Sequence, residues 1–153
     1  MTELSELLDD RCVDLNLKKG RKRVIVSRLA ELAARSDAVT DGTGFERELL
    51  EREDQTSTAI GGGIAIPHKL SPRIARRVLG IARCDAGTNY GAPDGQPVKL
   101  FFLLLAPEDA LNDHLRVLSR LARFLHDAAF REKLLTATSA EEVRSAFQAK
   151  ERE

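Results

Sequence analysis

Val98-Lys99-Leu100-Phe101-Phe102-Leu103-Leu104-Leu105 is the stretch that decides the architecture of this sequence. One charge, Lys99, interrupts an apolar run of strand length, and a run without polar alternation belongs to a strand covered on both faces. Helices must therefore supply the cover. Upstream, the turn-rich segment Ala86–Pro97 leads back to Val78–Cys84, a second strand, and Gly63–Ile66 reads as a third. Cys12–Leu17 is expected to add an edge strand. All five prolines (Pro67, Pro72, Pro93, Pro97 and Pro107) fall between positions 67 and 107, and no glycine follows Gly95. The punctuated middle is thus predicted to hold the sheet, and the flanks the helices.

The flanks carry helical periodicity. Ile25, Leu29 and Leu32, with Val26, Ala30 and Ala33 beside them, predict an amphipathic helix over Lys22–Ala34. Phe45, Leu49 and Leu50 predict a second ending near Glu53. Leu111, Leu115, Leu118, Ala122 and Leu125 form the apolar stripe of a long helix, and Phe130, Leu134 and Leu135 that of a shorter one. Ser139 followed by Glu142, or Thr138 by Glu141, is a capping box that opens a last helix through Val143 and Phe147. The pattern makes the chain α/β or α+β, one domain over 1–153.

Composition narrows the function. The chain has 153 residues, 42% of them hydrophobic, and 24 Lys+Arg offset 24 Asp+Glu. A globally basic nucleic-acid binder is excluded by that balance. No apolar run reaches the roughly 18–20 residues of a membrane span, so no direct membrane insertion is expected. The acidic start lacks the features of a secretion signal, which predicts a cytoplasmic protein. Cys12 and Cys84 lie far apart without metal spacing and read as reduced thiols. The three histidines form no cluster with Cys, Asp or Glu, so neither metal nor cofactor is expected.

The unusual segment is Gln55-Thr56-Ser57-Thr58-Ala59-Ile60-Gly61-Gly62-Gly63-Ile64-Ala65-Ile66-Pro67-His68. It is not a Walker loop, since no Gly-Lys-Ser/Thr follows, nor a dinucleotide fingerprint, since Ile66 stands where a third glycine should be. The glycines suit either a structural turn or backbone N–H groups that approach an anion. Pro67 should end the strand abruptly and leave His68 facing out at its tip. A neutral imidazole is a nucleophile that needs no separate base. His114 lies near the start of the long C-terminal helix, and His126 closes it, where a cation suits the helix dipole. Two basic clusters, Lys18–Arg23 and Lys69, Arg73, Arg76, Arg77 and Arg83, read as solvated faces or protein-docking patches. Aromatic residues are too few to give nucleic acid a stacking platform.

Leu49-Leu50-Glu51-Arg52-Glu53, the run Ser57 to His68, Gln96 to Phe101, Leu104 to Pro107 and His114-Leu115 together resemble the enzyme IIA domains of the phosphotransferase system, fructose/mannitol type (type 2). The resemblance is strongest to the nitrogen-regulatory branch and covers nearly the whole chain. It implies a mixed central sheet of about five strands flanked by helices, of the phosphotransferase/anion-transport kind. It further implies a phosphocarrier in which His68 is phosphorylated, at Nε2, while Arg52 positions and His114 stabilises the phosphate. The amides of Gly61, Gly62 and Gly63 are candidate further donors. The implied partners are a phosphohistidine carrier of the HPr or nitrogen-HPr kind, and a regulated transporter or kinase. Two alternatives stand beside this: a sugar-specific IIA that passes phosphate to a IIB cysteine, and a regulatory module that is never phosphorylated. One departure is evident. Family members commonly carry glycine after the phosphorylated histidine, whereas here Lys69 follows at once.

Overall fold

In the computed structural model, which describes residues 2–153, the run quoted first is the central strand of a six-stranded mixed sheet. The elements follow in the order α1 (Leu4–Leu7), β1 (Leu8–Asp14), α2 (Lys22–Ala33), α3 (Gly42–Gln55), β2 (Ala59–Gly61), β3 (Ile64–Ala65), β4 (His68–Ser71), β5 (Val78–Thr88), β6 (Val98–Pro107), α4 (Leu111–Leu125), α5 (Ala128–Thr136) and α6 (Ala140–Glu151). The sheet order is β1-β5-β6-β3-β2, with β4 also paired to β6.

Both faces of β6 are buried, as its composition requires. Phe101, Leu103 and Leu105 join Ile25 and Leu29 of α2 and Phe45 and Leu49 of α3 in one apolar cluster. Leu100, Phe102 and Leu104 point the other way, into a cluster with Leu121, Phe130, Val143 and Phe147 from α4, α5 and α6. Each large apolar side chain so buried contributes roughly 1.5–3 kcal/mol. The two-sided cover keeps this almost wholly apolar strand out of water.

Three local expectations are corrected. The edge strand begins at Leu8 rather than Cys12, because a register irregularity between Leu8 and Val13 breaks the alternation that would reveal it. The buried stripe of α4 is His114, Val117, Leu121 and Leu125, leaving Leu111 and Leu115 each 52% exposed. The apolar arc of this helix is wider than one stripe, and docking on the sheet selects its other edge. Lastly, the strand expected over Gly63–Ile66 is the shorter Ile64–Ala65 and does stop before Pro67, but His68 is no free tip, because it opens a further strand. β3 and β4 run in succession, both parallel to β6, with Ile64 opposite Leu100 and His68 opposite Leu104. Pro67 cannot donate to the ladder, but its carbonyl accepts from Leu104 N–H at 3.0 Å and keeps the ribbon attached.

The last helix starts as the capping box foretells: Ser139 accepts from the Glu142 N–H at 3.1 Å. The Glu142 carboxylate, however, turns to Thr138 rather than Ser139.

Candidate functional site

α3 is capped by Asp41, whose side chain accepts from the Gly44 N–H, and it buries Phe45, Leu49 and Glu53 at intervals of one turn. That stripe leaves Arg52 on the adjoining, half-exposed face in the last turn, where a cation complements the helix dipole. Beyond the Thr56 cap the chain enters the β2–β3 hairpin. Its two-residue turn, Gly62-Gly63, has φ of +66° and +79°, a backbone that fits glycine and few others. The ribbon then delivers His68 alongside Leu104, on the sheet face that α4 covers.

There the structure brings three expected residues together. His68 Nδ1 lies 2.6 Å from the Ile66 carbonyl oxygen. A carbonyl only accepts, so Nδ1 carries the proton and donates it, and the Nε2 lone pair is free in the neutral ring. Arg52 Nη2 sits 3.3 Å from that Nε2, while Arg52 Nη1 donates to the Thr56 carbonyl at 3.1 Å. The His114 ring stands 5.7 Å from the His68 ring, centroid to centroid, tilted by 43°. His114 is 4% exposed, and neither of its nitrogens has a partner among the described residues.

Burial is the first cause that lowers the pKa of His68, assisted by the Arg52 charge and opposed by the Ile66 hydrogen bond and Glu53. Burial, and then the neighbouring His68, push His114 down to about 4. Both rings are therefore neutral near pH 7. The outcome is a neutral imidazole nitrogen on a half-buried ring with a fixed tautomer, flanked by a guanidinium and by a second ring with unused hydrogen-bonding capacity. Such a set can receive an anionic group and stabilise it.

Other candidates fall elsewhere. The Gly61–Gly63 amides do not reach His68. Their turn lies beside Lys99 and Leu100, four positions back along β6 and so about 13 Å away at 3.3 Å per residue. The Gly62 N–H is engaged with Asp94 at 2.9 Å, so these glycines shape a turn. Lys69, which follows His68 at once, continues β4 opposite Leu105 and so points to the other face of the sheet, away from the ring. His126 caps α4 at its C-terminus, exposed and remote from the pair.

The second basic cluster is not one patch. Arg73 pairs with Asp41 and Glu48, and Arg76 with Asp37. Arg83, 8% exposed, donates to the Leu134 and Ala137 carbonyls at the end of α5. From the first cluster, Lys22 reaches Glu53 and Arg23 reaches Asp54. Both cysteines are buried, and burial raises the Cys12 pKa to about 11. Among the described residues no three of His, Cys, Asp and Glu gather as a metal would need. Among the described residues no helix is long and apolar enough to cross a membrane.

Sequence reasoning missed one residue beside this site, Glu53. The signal was present: Phe45, Leu49 and Glu53 share one buried stripe, so an acid stands at a core position.

Comparison with known proteins places this geometry in context. A family model described as "Phosphoenolpyruvate-dependent sugar phosphotransferase system, EIIA 2" matches residues 6–150. A nitrogen regulatory protein of Bradyrhizobium diazoefficiens is 38% identical over 143 residues, 93% of this chain and 92% of that one. A fructose-specific EIIABC component of Bacillus subtilis is 33% identical over 141 residues, 92% of this chain, which spans only 22% of that relative's length. Among solved structures, the nitrogen regulatory protein IIA-Ntr of Neisseria meningitidis superimposes with a TM-score of 0.85 at 34% identity, covering 94% of this chain and 97% of that one.

Proposed function

The chain belongs to the EIIA 2 family of the phosphoenolpyruvate-dependent sugar phosphotransferase system, close to its nitrogen-regulatory members, and on that premise we propose that His68 Nε2 is its phosphoacceptor. The donor is the phosphohistidine of an HPr-like carrier, of the HPr or nitrogen-HPr kind. In the transfer the carrier's P–N bond breaks, with the electron pair returning to the carrier's ring, and a new P–N bond forms at His68 Nε2. The Nδ1 proton stays on the Ile66 carbonyl hydrogen bond throughout, so no base is required.

The observation that carries this reading is the Nδ1–Ile66 contact, which commits the free lone pair to Nε2 beside Arg52. A phosphoryl group brings nearly two negative charges. Arg52 answers them by turning its fork from the ring nitrogen to the phosphate oxygens. His114, neutral and unpartnered, donates one ring N–H to another oxygen. Because phosphoryl transfer depends chiefly on alignment and charge neutralisation, these groups suffice. Leu111 and Leu115, exposed on either side of His114 along α4, supply an apolar border on which a carrier protein docks.

The state of His68 then reports to a regulated transporter or kinase. A second reading, transfer onward to a IIB cysteine in sugar uptake, is favoured by the similarity to the fructose-specific component. Incubation with phosphoenolpyruvate, enzyme I and carrier should add one acid-labile phosphoryl group. Label that persists in His68→Ala would overturn the assignment. Onward passage to a IIB domain would select the second reading.

A further inference from the structure

We infer that Glu53 is a positioning residue: its buried carboxylate fixes the connection Thr56–Thr58, which in turn holds both the Arg52 guanidinium and the Ile66 carbonyl that orient His68. The inference rests on the reading of His68 as phosphoacceptor.

Glu53 is 4% exposed and occupies a place that its stripe would otherwise give to an apolar side chain. Burying a carboxylate costs free energy that an apolar residue at this place would not, so its presence here calls for a role in geometry. The contacts of the carboxylate supply that role. It accepts from the Thr58 N–H at 3.3 Å and from the Thr58 hydroxyl, and it pairs at 3.3 Å with Lys22 Nζ from α2. Lys22 lies 4.8 Å from the centroid of the Tyr90 ring, which completes the enclosure.

From Thr58 the order propagates along two short routes. The Thr58 carbonyl accepts from the Ile66 N–H at 3.0 Å, and the Ile66 carbonyl is the one that takes the His68 Nδ1 proton. Two residues earlier, the Thr56 carbonyl holds Arg52 Nη1. The tautomer of the nucleophile and the aim of its guanidinium thus share one anchor. Removing the carboxylate leaves the buried Thr58 N–H and hydroxyl without their acceptor, and the connection can no longer keep one geometry.

The test uses the full chain with four variants: Glu53→Ala, Thr58→Val, Thr58→Ser and the double change E53A/T58V. Two quantities are read: the single-turnover rate of phosphoryl transfer from the phosphorylated carrier, and the tautomer of the His68 ring by 15N NMR. We expect Glu53→Ala and Thr58→Val each to slow transfer by about 10- to 100-fold, the loss that a misplacement near 1 Å brings. Both should also turn a single Nδ1–H tautomer into a mixture. Thr58→Ser, which keeps the hydroxyl, should restore both readouts, and the double variant should lose no more than the worse single one. Where Glu53→Ala fails to fold, the Val and Ser pair at position 58 decides. A Thr58→Val protein with the wild-type tautomer and a rate within about twofold of wild type overturns the inference. A wild-type chain that accepts no phosphoryl group defeats the reading of His68 instead, and the tautomer measurement still judges Glu53.

Discussion

His114 offers a test that needs no partner protein. Its pKa stands at about 4 in the folded chain, against an ordinary value of 6.5, because burial penalises the charged ring. Between those two values the unfolded chain binds more protons than the folded one, so stability is full above pH 6.5 and falls as the solution is acidified. From pH 7.5 to 5.5 the loss attributable to this ring works out at roughly 1 kcal/mol, and by pH 4.5 at roughly 2–3 kcal/mol. His114→Gln keeps a polar side chain of similar size without the titration. Chemical denaturation of both proteins at pH 7.5 and 5.5 isolates the ring, since carboxylates and His68 are common to both. The wild type should lose roughly 1 kcal/mol more than the variant over that interval. Parallel losses would refute the argument that His114 is buried and neutral.

Other outcomes follow from the same coordinates. Arg52→Ala should slow phosphoryl transfer by about 10- to 100-fold, the equivalent of one or two charge-assisted hydrogen bonds, while the half-exposed position leaves the melting temperature nearly unchanged; unaltered kinetics would remove Arg52 from the site. Phe102→Ala, at a fully buried position of the central strand, should cost about 3–5 kcal/mol in urea unfolding. Gly87→Ala should be more damaging than Gly62→Ala by at least about 1 kcal/mol. Both have positive φ, but a methyl at 87 would meet Pro97 Cβ at 2.9 Å, and one at 62 meets nothing within 4 Å.

The architecture was legible where a residue type admits one reading. The Val98–Leu105 run admitted only a strand covered on both faces, and the His68, Arg52 and His114 trio was legible through a long motif. What stayed hidden depended on contacts between distant segments. The α4 sequence offers two apolar edges, and only the sheet chooses between them. The Gly61–Gly63 run suited either an anion nest or a turn, and its pairing with Asp94 is a tertiary fact. β1 was blurred by its irregular register, and α1 is too short to carry a period. Glu53 lies one turn beyond Phe45 and Leu49, and only the packing of α3 shows that the stripe they share faces inward.

The ribbon Ile64–Ser71 is laced to β6, the central strand, whose two faces are both covered. A backbone so fastened has little room to bend when His68 gains its charge. Loaded and empty forms would therefore share nearly one outline and differ mainly in local potential. A listener that tells them apart must do so by charge at the rim of α4, and its discrimination should fade as salt is added.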